Sequence, residues 1–151
     1  MKPRLWVVGL AAALAMPLAA AQAADYEVKM LNKGVAGAMV FEPAFLQVEP
    51  GDSVTFVPTD KGHDAVSIKG MVPEGAAPFA GKMNQELTVV FDTPGVYGVK
   101  CVPHYGMGMV ALIVAGDPGN VAEATAVKHP GKAKVAFAGL FEELATQLAS
   151  Q

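Results

Sequence analysis

The sequence predicts a mainly β domain, a sandwich of seven or eight short strands, closed by two C-terminal α-helices. Three observations predict it. Short apolar runs recur between turns containing Pro and Gly as far as Gly116; several of them alternate apolar and polar residues; and beyond Gly116 the apolar period lengthens to that of a helix.

The first segment of the 151 residues reads as an address rather than as structure. Lys2 and Arg4 precede an apolar run over residues 5–15, Pro17 breaks it, and Ala21-Gln22-Ala23 supplies small residues at a cleavage position. This is the pattern of a secretory signal peptide, with the cut after Ala23. The run is short against the roughly 20 residues of a spanning helix, so no membrane association is expected after cleavage. Residues 24–151 then form one domain around a single core.

Within that domain residues 26–31 alternate, with Tyr26, Val28 and Met30 on one face and Glu27 and Lys29 on the other. Residues 39–41 and 45–48 are apolar pieces around Glu42-Pro43-Ala44, and Pro50-Gly51-Asp52 turns the chain into 54–57. A polar loop over 59–62 delivers His63, and 65–68 is another extended piece. Residues 71–84 are irregular, with room for one helical turn. Residues 87–91 alternate, Thr93-Pro94-Gly95 turns the chain, 96–100 runs to Cys101, and 109–114 forms the last strand. After Asp117-Pro118-Gly119, Asn120 and Glu123 have capping-box spacing for a helix through Val127. His129-Pro130-Gly131 interrupts it, placing His129 in a solvated break. From Lys132 onward Phe137, Leu140, Phe141, Leu144 and Leu148 recur at helical spacing, the pattern of a helix that covers the sandwich.

Charge and cysteine use narrow the function. Removing Lys2 and Arg4 leaves nine basic residues against 14 acidic ones, a formal charge of −5, which argues against general nucleic-acid binding. Cys101 is the only cysteine, so no intramolecular disulfide forms, and a free thiol in an oxidising compartment calls for an explanation such as coordination. Cys101-Val102-Pro103-His104-Tyr105-Gly106-Met107-Gly108-Met109 supplies a thiolate, an imidazole and thioethers within nine residues. That soft set suits copper better than magnesium or calcium. His63 is the only other histidine in a strand-rich context, so the expected centre is His63, Cys101, His104 and Met109. Met107 competes for the thioether role, but Met109 stands where the next strand fixes the backbone. Two imidazoles and a thiolate with a weak axial thioether accommodate Cu(I) and Cu(II) with little rearrangement.

The Cys-x2-His-x4-Met loop with upstream His63 resembles the type 1 copper cupredoxins. More narrowly, Met30-Leu31-Asn32-Lys33-Gly34, the stretch Gly37-Ala38-Met39-Val40-Phe41-Glu42-Pro43-Ala44, Asp60-Lys61-Gly62-His63, Pro73-Glu74-Gly75 and the blocks around Cys101 resemble the pseudoazurin family. The likeness runs through the whole mature domain. It implies an eight-stranded Greek-key sandwich, one type 1 copper ion, and periplasmic electron transport. It also implies transient partners: a denitrification enzyme such as copper nitrite reductase as acceptor and a cytochrome-type donor, met by a monomer. In the resemblance His63 is buried and His104 presents its ring edge within an apolar patch that would hold Met39, Pro103 and Met107. Lys33, Lys61, Lys82 and Lys100 are the candidate steering charges around it.

The chain departs from the family beside the site. Asp64 and Val102 stand where Asn and Thr are usual, and a Val side chain makes no hydrogen bond, so the side-chain link between the two ligand loops is expected to be absent. The Asp64 N–H remains available to the Cys101 sulfur. A copper carrier or storage protein is the alternative function, since Met39, Met107 and Met109 are thioethers. An enzyme is not expected: Cys101 and His104 lack a third orienting residue and an oxyanion arrangement. Zinc is disfavoured by the Met ligand, and Gly106-x-Gly108 lacks the rest of a nucleotide fingerprint.

Overall fold

The computed structural model describes residues 22–150, so residues 1–21 of the expected leader lie outside it. Eight strands form in chain order: β1 (Asp25–Gly34), β2 (Gly37–Glu42), β3 (Phe45–Val48), β4 (Ser53–Val57), β5 (Val66–Ser67), β6 (Leu87–Val90), β7 (Gly95–Lys100) and β8 (Val110–Ala115). Two helices follow, α1 (Val121–Ala126) and α2 (Ala133–Ala149). The strands make two four-stranded sheets, β2-β1-β4-β6 and β3-β8-β7-β5. The β1–β2 hairpin is antiparallel, β1 pairs β4 in parallel, and β3 pairs β8 in parallel, so the chain crosses repeatedly between sheets as in a Greek-key sandwich.

Alternation decides which side chains enter the core. Val28 and Met30 of β1 are fully buried, while Glu27 and Lys29 face solvent. With Phe41, Phe56, Phe91, Val99 and Cys101 they fill the space between the sheets. β8 is buried along its whole length because it serves two cores. Ala111, Ile113 and Ala115 point between the sheets, whereas Val110, Leu112 and Val114 pack under the helices with Phe137 and Leu144. The helical spacing after Lys132 therefore has its expected outcome: α2 covers the outer face of a sheet. Leu148, at the end of that stripe, is 41% exposed.

Several local expectations are corrected. The extended piece at 65–68 is a strand only at Val66–Ser67, and 71–84 contains no helical turn. Instead Phe79 N–H donates to Ser67 Oγ at 2.9 Å, and a bridge joins Val66 to Ala80. Met71 is buried against Gly98, where any Cβ would collide with the Met71 side chain. Asn120 precedes α1 but makes no capping bond. Its amide is used across the fold: Oδ1 accepts the Val96 N–H at 2.7 Å and Nδ2 donates to the Val96 carbonyl at 3.0 Å. Propensity identified the residue, and a buried strand end claimed its side chain. Among the described residues no helix is long and apolar enough to cross a membrane.

His129 is not solvated in the interhelix break. Its ring stacks on Phe137 with centroids 4.2 Å apart, and its Nδ1 is hydrogen-bonded with the Tyr105 hydroxyl at 2.6 Å. Nε2 is buried without a partner, and burial pushes the imidazole pKa below its ordinary value. A depressed folded pKa contributes stability that is present above the unfolded value of about 6.5 and lost as pH falls through the folded one. Unfolding midpoints of the copper-free protein should therefore decline as the solution is acidified below about pH 6.5. In His129→Phe, which keeps the stacking surface, that decline should be shallower.

Candidate metal centre

Two loops at one end of the sandwich meet here. The first leaves β4 and carries His63; the second joins β7 to β8 and carries Cys101, His104 and Met109. The ladder between β7 and β8 pairs Lys100 with Val110, and Cys101 N–H donates to the Met109 carbonyl at 3.1 Å. This closes the second loop at its base. Inside it, Met107 N–H and Met109 N–H both donate to the His104 carbonyl, at 3.0 and 3.2 Å, within a 3₁₀ turn over Tyr105–Met107. His104 is thus held by main-chain bonds on both sides of its own position.

The sequence-predicted donors converge. Cys101 Sγ lies 3.7 Å from His63 Nδ1 and 3.5 Å from His104 Nδ1, and the ligand atoms of all three residues fall within 4.8 Å of one another. His63 and Cys101 are fully buried, while His104 is half-buried. Met109 is fully buried in the same core cluster as Cys101, whereas Met107 is 50% exposed. The burial contrast separates the two thioethers.

Asn32 is the residue that sequence reasoning missed. Its Oδ1 lies 2.9 Å from His63 Nε2, so Nε2 carries the proton and donates, and the unprotonated Nδ1 faces Cys101. Asn32 is itself held, because its N–H donates to Asp60 Oδ2 at 2.7 Å while Asp60 N–H donates to the Met30 carbonyl. Asn84 completes the brace: its N–H donates to the His63 carbonyl at 2.8 Å and its Oδ1 accepts the Gly62 N–H. Neither contact has a signal in spacing, since Asn32 is 31 positions from His63 and Asn84 sits in an irregular segment.

Burial sets the proton affinities. Desolvation lowers the His63 pKa, reinforced by His104 and partly opposed by Asp60 and Asp64. Desolvation likewise raises the Cys101 thiol, against main-chain hydrogen bonds from Asp64 and His104 that favour the thiolate. The Val102 side chain makes no link between the ligand loops, as expected, but the main chain beside it does. The Val102 N–H donates to Asp64 Oδ1 at 2.7 Å, so the main chain replaces the missing side-chain hydroxyl while the Val side chain turns outward, 53% exposed.

At the surface Pro103 is exposed beside His104, and Met39 and Met107 line one apolar groove with Val135 and Leu140 of α2. Met39 adopts a left-handed backbone, with φ of 55°, uncommon for a residue other than glycine. Lys33, Lys61 and Lys82 are exposed; Lys100 is half-buried, its Nζ 5.0 Å from the centroid of the Tyr105 ring. Lys132, which spacing marked only as a helix residue, also lines the groove.

A soft thiolate with two imidazoles, closely grouped and shielded from water, fits copper. The fold and this donor set define a copper-binding cupredoxin: the family profile of copper binding proteins, plastocyanin/azurin family, matches residues 28–116. More narrowly, the chain belongs to the pseudoazurin family. It is 54% identical over 129 residues to pseudoazurin of Paracoccus pantotrophus, covering 83% of this chain and 89% of that one. The crystal structure of pseudoazurin from Methylobacterium extorquens AM1 superposes with a TM-score of 0.77 at 47% identity, covering 80% of this chain and 98% of that one. Native pseudoazurin from Hyphomicrobium denitrificans gives 0.76 at 44% identity, covering 79% and 97%. The cofactor is one copper ion.

Because Asn32 orients His63, Asn32→Ala should lower copper affinity by about 10–100-fold. Competition against a chelator measures this, with unchanged far-UV circular dichroism showing that the fold persists.

Proposed function

We propose that the protein carries single electrons in the periplasm, accepting from a cytochrome-type donor and passing to a denitrification enzyme such as a copper nitrite reductase. His63 Nδ1, Cys101 Sγ, His104 Nδ1 and the Met109 thioether would hold the copper, which when bound supplies one-electron chemistry between Cu(II) and Cu(I). Residues 1–23 direct export and are removed, leaving 24–151 as a monomeric domain. The observation that carries the reading is the unequal exposure of the two imidazoles: His63 is 0% exposed and braced by Asn32, while His104 reaches the surface.

That asymmetry divides the work. His63, Asn32, Asp60 and Asn84 fix the buried side, and the N–H groups of Asp64 and His104 stabilise charge on the sulfur. His104 offers the short route out. Around it Pro103, Met107 and Met39 present apolar surface of the limited extent that suits a transient complex, and redox encounters bury under about 1,200 Å². Lys33, Lys61 and Lys82 add positive charge near this end and steer an acidic partner, with Lys100 held against Tyr105.

Adding Cu(II) to purified protein should produce an intense blue thiolate charge-transfer colour that bleaches on reduction and returns on oxidation. Cys101→Ser should abolish it. Colourless copper uptake with ready transfer to a recipient would instead identify a copper carrier or storage protein. With an acidic redox partner, the bimolecular electron-transfer rate should fall by at least about tenfold between low and high ionic strength. Replacing Lys33, Lys61 and Lys82 together by Gln should flatten that dependence.

A further inference from the structure

The amino end of the described chain makes a contact that the copper chemistry does not use. Asp52 lies in the turn before β4 and is only 4% exposed, yet it is a carboxylate. Its Oδ2 accepts the Glu49 N–H at 2.8 Å, and its Oδ1 accepts the Ala24 N–H at 2.7 Å. Both recorded donors are neutral main-chain amides. A buried carboxylate satisfied only by neutral donors retains much of its desolvation cost, and a cation at hydrogen-bond distance offsets it.

Ala24 is the residue that follows the cleavage position read from Ala21-Gln22-Ala23. Gln22 and Ala23 are exposed and without regular structure, so a peptidase can reach the bond before β1 begins. Hydrolysis of the Ala23–Ala24 peptide by a signal peptidase consumes one water, leaves a carboxylate on Ala23, and leaves an ammonium on Ala24. The nitrogen that gains the charge is the one 2.7 Å from Asp52 Oδ1. Ser53 N–H donates to the Ala24 carbonyl at 2.9 Å, in continuation of the parallel β1–β4 pairing, which holds Ala24 in place after the leader has gone.

We propose that leader removal creates an ion pair between the Ala24 α-ammonium and the buried Asp52 carboxylate, so that processing adds stability the precursor lacks. The inference rests on the exported reading above. It goes beyond it by giving the new terminus a structural task, pinning the start of β1 to the β3–β4 turn. The neighbouring Asp25 carboxylate, whose Oδ1 accepts from Ser53 Oγ, has the same sign and likewise favours an ammonium at this position.

Intact mass of the chain recovered from the exported fraction should show Ala24 as the first residue; a different start overturns the proposal without touching copper binding or electron transfer. The pair itself is tested on copper-loaded protein by denaturant unfolding in a double-mutant cycle. Retaining Gln22-Ala23 ahead of Ala24 should lower the folding equilibrium constant about tenfold, or about 1.4 kcal/mol. In Asp52→Asn the same extension should change it less than about twofold. An equal cost in both backgrounds, or none with Asp52 present, overturns it. Should Asp52→Asn fail to fold, the wild-type α-amino titration followed by NMR decides: a midpoint above the ordinary ~7.7–8.0 supports the pair, and an ordinary midpoint overturns it.

Discussion

The centre depends on holding an imidazole nitrogen and a thiol sulfur side by side in an apolar interior. His63 Nδ1 and Cys101 Sγ lie 3.7 Å apart in residues that are fully buried. Water is not available there to reorient either group, so the protein must set the tautomer itself. Asn32 does so from the end of strand β1, its Oδ1 accepting the Nε2–H hydrogen bond. Asp60 then fixes Asn32, and β1 fixes Asp60 through the Met30 carbonyl. A strand on one sheet is in this way coupled to a ligand whose partner thiol ends a strand on the other. The sandwich has to be complete before the donors converge, which ties the site to global folding rather than to one loop.

Rigidity around the donors serves the chemistry. A centre that changes charge by one electron works fastest when its ligands need not move, and main-chain bonds are the stiffest available supports. Cys101, His104 and Met109 are linked to one another through Cys101 N–H, Met109 N–H and two carbonyls, all inside nine residues. The Val102 N–H to Asp64 contact joins this loop to the one bearing His63. Because it uses backbone on one side, it tolerates a valine where a hydroxyl side chain would ordinarily be expected.

Much of this was legible in the sequence, for stated physical reasons. Strand alternation and helical spacing depend on neighbours along the chain, so β1, β3, β4 and α2 could be placed from residues alone. The soft donor set was legible because Cys101, His104 and Met109 are clustered and His63 was the remaining candidate. What escaped were side chains whose partners are remote. Asn32 had no role assigned to it, Asn84 lay in a stretch read as irregular, Asn120 read as a helix cap, and His129 as solvated, yet each is used by a distant element. Short polar side chains suit many local roles, and only tertiary packing selects among them. The two-residue β5 was overestimated for the same reason, since its extended neighbours bond irregularly to 79–81 rather than to a ladder.

The close approach of Gly131 to the ligand loop bears on how such proteins can be re-engineered. A Cβ at 131, where φ is +51°, would strike the Gly106 carbonyl, the same oxygen that accepts the Lys132 N–H. The loop therefore rests on the N-terminal end of α2 as well as on β7 and β8. A loop of different length transplanted from another copper protein would close on the same strands but leave that helix end without its acceptor. Loop exchange in this scaffold is consequently a three-element operation, and grafts designed from the metal site alone would lose their outer support.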